Sequence, residues 1–337
     1  MDSIEGKIKA LLNGEILDDP EKEFLNVDYT LQQQNYELST RGIEPKSPSD
    51  FKPKVGSTIT YVVAAVIFNE KNEILMMQEA KSSCAGTWYI PAGRVEPEET
   101  FEDAVKREVL QETGLQFEPT TLLKVESSHG TWFRIVYTGN IVGGQLKTVA
   151  RADQESLQAI YTNDVSKLSL RSPDCLKLIE FGHNYIQHRN EFVHQLTIHR
   201  VVPNILLRIL IAIRSKISNS YSVLISESLI PHVPICEINP SRSVHASLKR
   251  FMQYIFGPDN LPQHKPCGLL ALEHNFATTQ LEQNDGLCLS LLVICKDPLE
   301  SVCIQNGFSW RQLDSNLESL LIAKLSKKHN TVAYHVL

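Results

Sequence analysis

The sequence lacks the cysteine and histidine spacings of zinc sites and disulfide frameworks. Its seven cysteines are an odd number and include no CxxC pair, and its eleven histidines include no HxxxH or HExxH spacing. These absences argue against a zinc ribbon, a catalytic zinc and a disulfide-stabilised secreted domain. Free thiols are typical of reducing compartments, so the cytoplasm is the expected location.

The sequence also lacks a positive net charge and a long apolar run. The formal net charge is -6 at pH 7, which gives no general attraction to nucleic acid or to anionic membranes. The most apolar stretch, VVPNILLRILIAI at 201–213, contains Arg208 and is too short to span a bilayer, so a buried helix or strand is expected there. The acidic start has no apolar core of the kind found in signal peptides. We expect neither a nucleic acid polymer nor a membrane as partner.

What remains is the composition of a globular protein with two domains. Hydrophobic residues make up 42% and charged residues 21% of the 337 residues, so the chain is long enough for two cores. Residues 1–56 are predicted to form a helical N-terminal tail and a Pro- and Gly-containing linker, and the tail either packs on a domain or is loosely held. Strands on both sides of one charged helix predict an α+β domain at 57–190. New strand and helix signals predict a second, smaller α/β domain at 196–337.

The predicted helix of the first domain carries many carboxylates. It lies in the stretch GRVEPEETFEDAVKREVLQETGL, residues 93–115. On a wheel of about 100° per residue, Phe101 and two valines form an apolar stripe, and Glu108 and Glu112 fall inside that stripe. A solvated charge run places its carboxylates on the opposite face. The wheel therefore predicts that these two carboxylates face the body of the domain.

Two inward carboxylates are costly unless a cation meets them. Their position near the C-terminal end of the helix adds to the cost, because the helix dipole is negative there. Mg²⁺ and Mn²⁺ take oxygen ligands and usually share them with substrate phosphates. The pair alone leaves one alternative open, which is a structural network in which Arg or Lys neutralises both carboxylates.

The residues around this pair resemble the Nudix box almost position for position. The matching polar and glycine positions are Gly93, Glu99, Arg107, Glu108, Glu112 and Gly114. The resemblance implies an α/β/α sandwich, a requirement for Mg²⁺ or Mn²⁺, and hydrolysis of nucleoside diphosphates linked to another moiety.

The resemblance also implies a role for each residue of the site. Glu108 and Glu112 are expected to be metal ligands, and Glu108 is also expected to help activate water. Arg107 and Glu99 are expected to pair and to hold the loop against the helix. The carbonyl of Gly93 is expected to add a ligand, because a glycine lets the backbone come close to an ion.

Gln111 departs from the box, which most often has a Glu at this position. A neutral amide coordinates without supplying charge, so the number of ions stays open. On the wheel the amide lies close enough to approach the same ions. This departure keeps a second interpretation open, in which the chain binds a nucleotide but hydrolyses it poorly.

Segments outside the box carry a closer resemblance. The stretches EILMMQEAK, GTWYIPAGRVEP, PHVPICEINP and DGLCLSLLV resemble segments of animal Nudix hydrolases that act on oxidised guanine nucleotides, and this likeness covers about residues 57–337. It implies cleavage of 8-oxo-dGDP and 8-oxo-GDP to the monophosphate and phosphate. By the same resemblance Leu75 lines the nucleotide pocket, and a plain core leucine is the alternative. Hydrolysis of ADP-ribose or another dinucleotide is a further alternative.

Three other residues are weaker candidates. Glu155 is either an additional acid that reaches the metal from another loop or a solvated loop residue. Of Trp88 and Tyr89, one is a candidate to stack on a base, and alternation places at least one of them in the core.

The second domain carries no motif with recognisable chemistry, and nothing in the sequence indicates the oligomeric state.

Overall fold

The computed structural model describes residues 3–15, 24, 26–275, 284–326 and 329–337. The helices are α1 (Ile4–Asn13), α2 (Leu31–Thr40), α3 (Phe101–Thr113), α4 (Asp174–Gln187), α5 (Val244–Phe256) and α6 (Ser315–Ser326). The strands are β1 (Thr60–Ala65), β2 (Ile74–Glu79), β3 (Trp88–Tyr89), β4 (Ala92–Arg94), β5 (Leu115–His129), β6 (Trp132–Gly144), β7 (Ser156–Thr162), β8 (Ile198–His199), β9 (Ile205–Arg214), β10 (Tyr221–Ser226), β11 (Ile235–Glu237), β12 (His264–His274), β13 (Leu287–Cys295), β14 (Phe308–Gln312) and β15 (Ala333–Val336). Within these described residues, no helix is both long and apolar enough to cross a membrane.

The chain divides into two compact units. Unit I consists of Thr60–Val125 and Phe133–Leu196, and unit II consists of Met1–Ile59, Glu126–Trp132 and Thr197–Leu337. This division differs from the three consecutive segments predicted from the sequence. The N-terminal segment belongs to the same unit as the C-terminal half, and that unit is the larger of the two rather than the smaller.

Unit I contains two sheets and two helices. One sheet has the strand order β5-β6-β1-β4 and the other has the order β3-β2-β7. Helix α3 packs against β1, β4 and β7, and α4 contributes Cys175, Leu178 and Ile179 to a core that includes Val66 and Met76. Helices thus pack against both sheets of the unit, which confirms the predicted α+β class.

The ends of α3 follow from the residues that flank it. The Thr100 hydroxyl accepts a hydrogen bond from the backbone N–H of Asp103 at 3.0 Å, which caps the first turn. Gly114 ends the helix with a φ of 74°, a left-handed conformation that favours glycine. These two caps fix the length and direction of the helix that carries Glu108 and Glu112.

Unit II contains a seven-stranded sheet covered in part by α1 and α6. Its strand order is β14-β10-β9-β13-β12-β8, with β11 paired to β9. Ile8, Leu11 and Leu12 of α1 are buried with Leu317 and Leu321 of α6 in one apolar cluster. The predicted amphipathic character of the N-terminal segment is therefore confirmed, but α1 belongs to a core and is not a loosely held tail.

The structure corrects or refines the predictions for three segments of unit II. Most of the apolar run at 201–213 forms the buried strand β9, which pairs with β13 on one side. The prolines of PHVPICEINP, residues 231–240, predict a turn, and the stretch contains the short strand β11. The sequence WRQLDSNLESLLIAKLSKK at 310–328 predicts a helix, but α6 begins only at Ser315, since residues 308–312 pair with β10 as β14. Residues 327 and 328, which were included in that helix, lie outside the described residues.

Candidate active site

Arg107 clamps the loop before α3 to the middle of the helix. Its Nε donates to Glu99 Oε1 at 2.6 Å and its Nη2 donates to Glu99 Oε2 at 2.7 Å, so the pair is bidentate. Nη2 also donates to the carbonyl of Arg94 at 2.9 Å. Burial acts to raise the pKa of Glu99, but the Arg107 hydrogen bond and the Glu96 N–H hold that pKa below its ordinary value. The structure brings Arg107 and Glu99 together, as the resemblance implied.

Glu108 lies against the backbone of Gly93 on β4. A Cβ added at Gly93 would lie 2.0 Å from both the Cδ and the Oε1 of Glu108, so the carboxyl group occupies the space that any larger residue would fill. Arg107 Nη1 donates to Glu108 Oε1 at 2.6 Å. Burial raises the pKa of the Glu108 carboxyl above its ordinary value, and the hydrogen bond from Arg107 opposes this. Glycine is thus required here by close approach rather than by backbone angle.

Glu112 lies one turn further along and is more deeply buried. Only 2% of the residue is exposed, and Oε2 accepts a hydrogen bond from the backbone N–H of Ala92 at 2.9 Å. Burial raises the pKa of Glu112 well above its ordinary value, and the charges of Glu108 and Glu79 add to the rise. The charged form of Glu112 is therefore unfavourable without a nearby cation, and a bound divalent ion would stabilise it.

The oxygens of this site suit a hard divalent cation. Two buried carboxylates on one helix face lie beside the backbone of β4, and all of these donors are oxygen atoms of the type that Mg²⁺ and Mn²⁺ prefer. Among the described residues, no group of three His, Cys, Asp or Glu side chains is arranged to hold an ion. Glu108 and Glu112 are the residues that would hold such an ion, and the Gly93 carbonyl remains a predicted ligand.

Glu155 lies on the loop before β7. Its backbone N–H donates to Asp153 Oδ1 at 3.0 Å, and Asp153 accepts from Lys147 Nζ at 2.9 Å. Lys147 in turn donates to the carbonyl of Gln111 on α3 at 2.5 Å, so a chain of hydrogen bonds ties the loop to the helix. The Glu155 charge acts to raise the pKa of Glu108. The role of Glu155 as an additional acid of the site stays a prediction.

The three predicted nucleotide contacts are buried in unit I. Trp88 and Tyr89 belong to the core cluster, and the Tyr89 hydroxyl donates to Asp174 at 2.9 Å and accepts from Arg134 at 2.9 Å. Leu75 on β2 is fully buried. These positions suit packing, and a nucleotide-binding role for Leu75 stays a prediction.

Sequence reasoning missed two charged residues near the pair. Glu79, at the end of β2, is 1% exposed and pairs with Arg171 Nη1 at 2.6 Å, and its charge acts on Glu112. Lys81 follows two residues later, and its charge acts on both Glu108 and Glu112. The sequence signal was an acid and a base at the end of a strand, but only the tertiary fold brings that strand end to α3.

Gln111 is exposed, and its amide oxygen accepts from Arg107 Nη1 at 3.2 Å. The same nitrogen donates to Glu108 Oε1, so Arg107 contacts both the Gln111 amide and the carboxylate pair.

We predict that Gln111→Glu lowers the Mg²⁺ concentration for half-maximal activity, because the new charge attracts the ion and competes with Glu108 for Arg107. The expected shift is about threefold to tenfold, since a partly exposed charge contributes about 1 kcal/mol. A Mg²⁺ titration of both forms measures it, and an unchanged or higher requirement would contradict the prediction.

A sandwich fold with an Arg–Glu clamp and two inward carboxylates on a capped helix defines a Nudix-type protein. The comparisons with known proteins agree. Residues 58–175 match the NUDIX domain family. The chain is 35% identical over 298 residues to 8-oxo-dGDP phosphatase NUDT18 of Mus musculus. The matched region covers 84% of this chain and 90% of that protein. The chain belongs to the Nudix hydrolase family.

Two further comparisons give the extent of the likeness. The Homo sapiens 8-oxo-dGDP phosphatase NUDT18 is 33% identical over 296 residues, covering 84% of this chain and 88% of that protein. A solved structure, a NUDIX hydrolase from Nitrosomonas europaea, is 27% identical with a TM-score of 0.33 and covers 37% of this chain and 89% of that one. The likeness to the mammalian proteins therefore extends over both units, beyond the matched domain.

Proposed function

We propose that this Nudix hydrolase cleaves oxidised guanine nucleoside diphosphates, 8-oxo-dGDP and 8-oxo-GDP, to the monophosphate and inorganic phosphate with Mg²⁺ or Mn²⁺. The observation that carries the proposal is the buried pair Glu108 and Glu112, whose carboxylates lie on one face of α3 against the backbone of Gly93 and Ala92 on β4. Likeness to 8-oxo-dGDP phosphatases over 84% of the chain supports the choice of substrate.

The reaction adds water across a phosphoanhydride bond. A water oxygen bonds to phosphorus, the bond from that phosphorus to the bridging oxygen breaks, and the bridging oxygen leaves with the nucleoside monophosphate. A divalent cation supplies Lewis acid and template chemistry when bound. Glu108 accepts the proton of the water at Oε2, the oxygen that is not bonded to Arg107.

The chain's own residues keep this arrangement fixed. Arg107 holds Glu108 in one orientation, and the Ala92 N–H holds Glu112 Oε2. Ser156 Oγ donates to the carbonyl of Glu112 at 2.7 Å, which ties the start of β7 to the end of α3. Such preorganisation matters because displacement of a reacting group by about 1 Å can cost a hundredfold in rate.

A cytoplasmic location belongs to the same proposal. All seven cysteines lie in the described residues and are free thiols. A protein that acts on the soluble nucleotide pool needs access to that pool, which supports a location in the reducing compartment.

The substrate panel tests the proposal directly. We predict that the full chain with saturating Mg²⁺ hydrolyses 8-oxo-dGDP with a kcat/KM at least about tenfold above those for dGDP, 8-oxo-dGTP and ADP-ribose, because a site that hydrogen-bonds a distinguishing group rejects analogues that lack it. Chromatography of the products, with a phosphate assay, measures each rate. Faster cleavage of 8-oxo-dGTP would contradict the diphosphate preference. Faster cleavage of ADP-ribose, or binding of 8-oxo-dGDP without turnover, would favour the dinucleotide-hydrolase or sensor interpretation instead.

A further inference from the structure

The basic side chains around the carboxylate pair are not equivalent. Arg107 is committed to the clamp, Lys147 Nζ is bonded to Asp153, and Arg171 is ion-paired with a buried carboxylate. Lys81 differs from these three, since no described residue forms a hydrogen bond or ion pair with its ammonium group, and its side chain is exposed. A cation without a protein partner beside a carboxylate pair is available to an anionic ligand.

The backbone of Lys81 is held in place although its side chain is free. Its carbonyl accepts from the N–H of Cys84 at 2.9 Å, at the start of the turn that follows β2. The turn is closed at its base, where the N–H of Gly86 donates to the carbonyl of Glu79 at 2.9 Å and Gln78 Nε2 donates to the carbonyl of Gly86 at 2.9 Å. The turn therefore presents the flexible lysine stem from a fixed point.

The turn begins next to the end of α3. Glu79, two residues before Lys81, pairs with Ser156 across β2 and β7, and Ser156 Oγ donates to the carbonyl of Glu112 at 2.7 Å. In agreement with this placement, the positive charge of Lys81 acts to lower the pKa of Glu108 and that of Glu112, against the larger effect of burial.

Glu108 is paired with Arg107, and Glu112 accepts from the Ala92 N–H, so neither carboxylate is paired with Lys81. The lysine therefore lies on a turn that borders the carboxylate pair, and its ammonium group is not taken up by either carboxylate.

We propose that Lys81 binds the phosphate oxygens of the nucleoside diphosphate. The inference rests on the proposed function, because it assigns a contact to the substrate named there. A diphosphate that enters the site brings negative charge close to two carboxylates, and this repulsion must be offset. A lysine ammonium is a compact charge on a flexible stem, which suits a phosphate group whose position shifts during the reaction.

The proposal predicts opposite effects on two ligands. Lys81→Met removes an attraction for phosphate, so binding of a diphosphate weakens. The same substitution removes a repulsion on divalent ions next to Glu108 and Glu112, so binding of an ion alone becomes tighter. A loss of local structure would weaken both, which separates the two explanations.

The experiment compares Lys81→Met, Lys81→Arg and the control Lys106→Met in the full chain. Lys106 lies on α3, is paired with Glu118 at 2.9 Å and carries the same charge away from the carboxylate pair. Calorimetry with inorganic pyrophosphate and Mg²⁺ measures phosphate binding, Mn²⁺ titration of the nucleotide-free protein measures ion binding, and steady-state kinetics with 8-oxo-dGDP measure KM.

For Lys81→Met we expect a Kd for pyrophosphate and a KM for 8-oxo-dGDP raised by at least about tenfold, since a charge-assisted hydrogen bond is lost. The Kd for Mn²⁺ is expected to fall, Lys81→Arg to retain most of the pyrophosphate affinity, and Lys106→Met to match the wild type. A pyrophosphate Kd within twofold of the wild type, or a weaker Mn²⁺ affinity in Lys81→Met, would overturn the proposal. If the wild type does not cleave 8-oxo-dGDP, the proposed function fails, and the pyrophosphate titration still decides the role of Lys81.

Discussion

Replacement of Glu112 by Gln is expected to lower kcat/KM for 8-oxo-dGDP by about 10²–10³-fold at saturating Mg²⁺. The amide keeps the shape of the side chain but supplies no charge, and the stabilisation that a bound ion provides is worth several kcal/mol, at about 1.4 kcal/mol for each tenfold. The measurement is steady-state kinetics with a Mg²⁺ titration. Glu118→Gln, which removes an exposed carboxylate paired with Lys106, is the matched control and is expected to retain wild-type rates.

The same variant is expected to be at least as stable as the wild type without metal. The folded-state pKa of Glu112 is raised, so its favourable contribution to stability is present below the unfolded pKa and is lost as the pH rises through the folded pKa. At neutral pH in the presence of a chelator, Glu112→Gln therefore removes a destabilising charge. Thermal unfolding of both forms from pH 5 to pH 8 tests the sign of this difference in stability.

Full turnover in the Glu112→Gln variant would show that Glu112 is not a metal ligand. A failure of the variant to fold would show that the Glu112 carboxylate is a structural ion-pair partner.

The second large effect is expected for Gly93→Ala, with a loss of about 10²-fold in kcat/KM. The added methyl group would lie 2.0 Å from the Glu108 carboxyl, so that carboxyl must move. Because the displaced atoms are the end of a flexible side chain, we expect the melting temperature to stay within a few degrees of the wild type. Gly→Ala at a compatible backbone conformation even stabilises by about 0.4–1 kcal/mol through the unfolded state.

A double-mutant cycle separates displacement of Glu108 from other effects of the methyl group. In a Glu108→Ala background there is no carboxyl to displace, so adding Gly93→Ala is expected to change kcat/KM by less than about twofold. Equal losses from Gly93→Ala in both backgrounds would contradict the steric explanation. The cycle thus tests whether the glycine is needed for the position of Glu108.

The carboxylate pair was predictable because its signal is local. Glu108 and Glu112 are one helical turn apart, so the periodicity of Phe101 and the valines alone places them on the inward face. The caps of α3 are local as well, since Thr100 and Gly114 act on the turns next to them. Local sequence therefore gives the helix, its ends and the direction of its carboxylates.

The surroundings of the pair were not predictable from one sequence, because they depend on which strands pair. Glu79 and Lys81 come to the site at the end of β2, and Glu155 comes from the loop before β7, the strand that pairs with β2. The Gln111 side chain is exposed, and its amide oxygen accepts a hydrogen bond from Arg107 Nη1. The sequence placed this amide near the ions but did not indicate that Arg107 would bind it.

The domain division was predicted less well than the elements for the same reason. The spacing of Ile8 and Leu11 indicates an amphipathic helix but does not say what covers its apolar face. In the structure α6 and the sheet of unit II cover it, so a helix from the start of the chain completes a core built from the end of the chain. Contacts over such sequence distances leave no periodic signal.

We propose above that Glu108 and Glu112 form a divalent-ion-dependent centre that hydrolyses 8-oxo-dGDP. The most direct measurement is phosphate release from 8-oxo-dGDP by the wild-type full chain, first in the presence of EDTA and then with Mg²⁺ added in excess of the chelator. We predict no release with EDTA and a saturable, fully recovered rate with Mg²⁺. Release that EDTA does not affect, or none at saturating Mg²⁺, would contradict the claim.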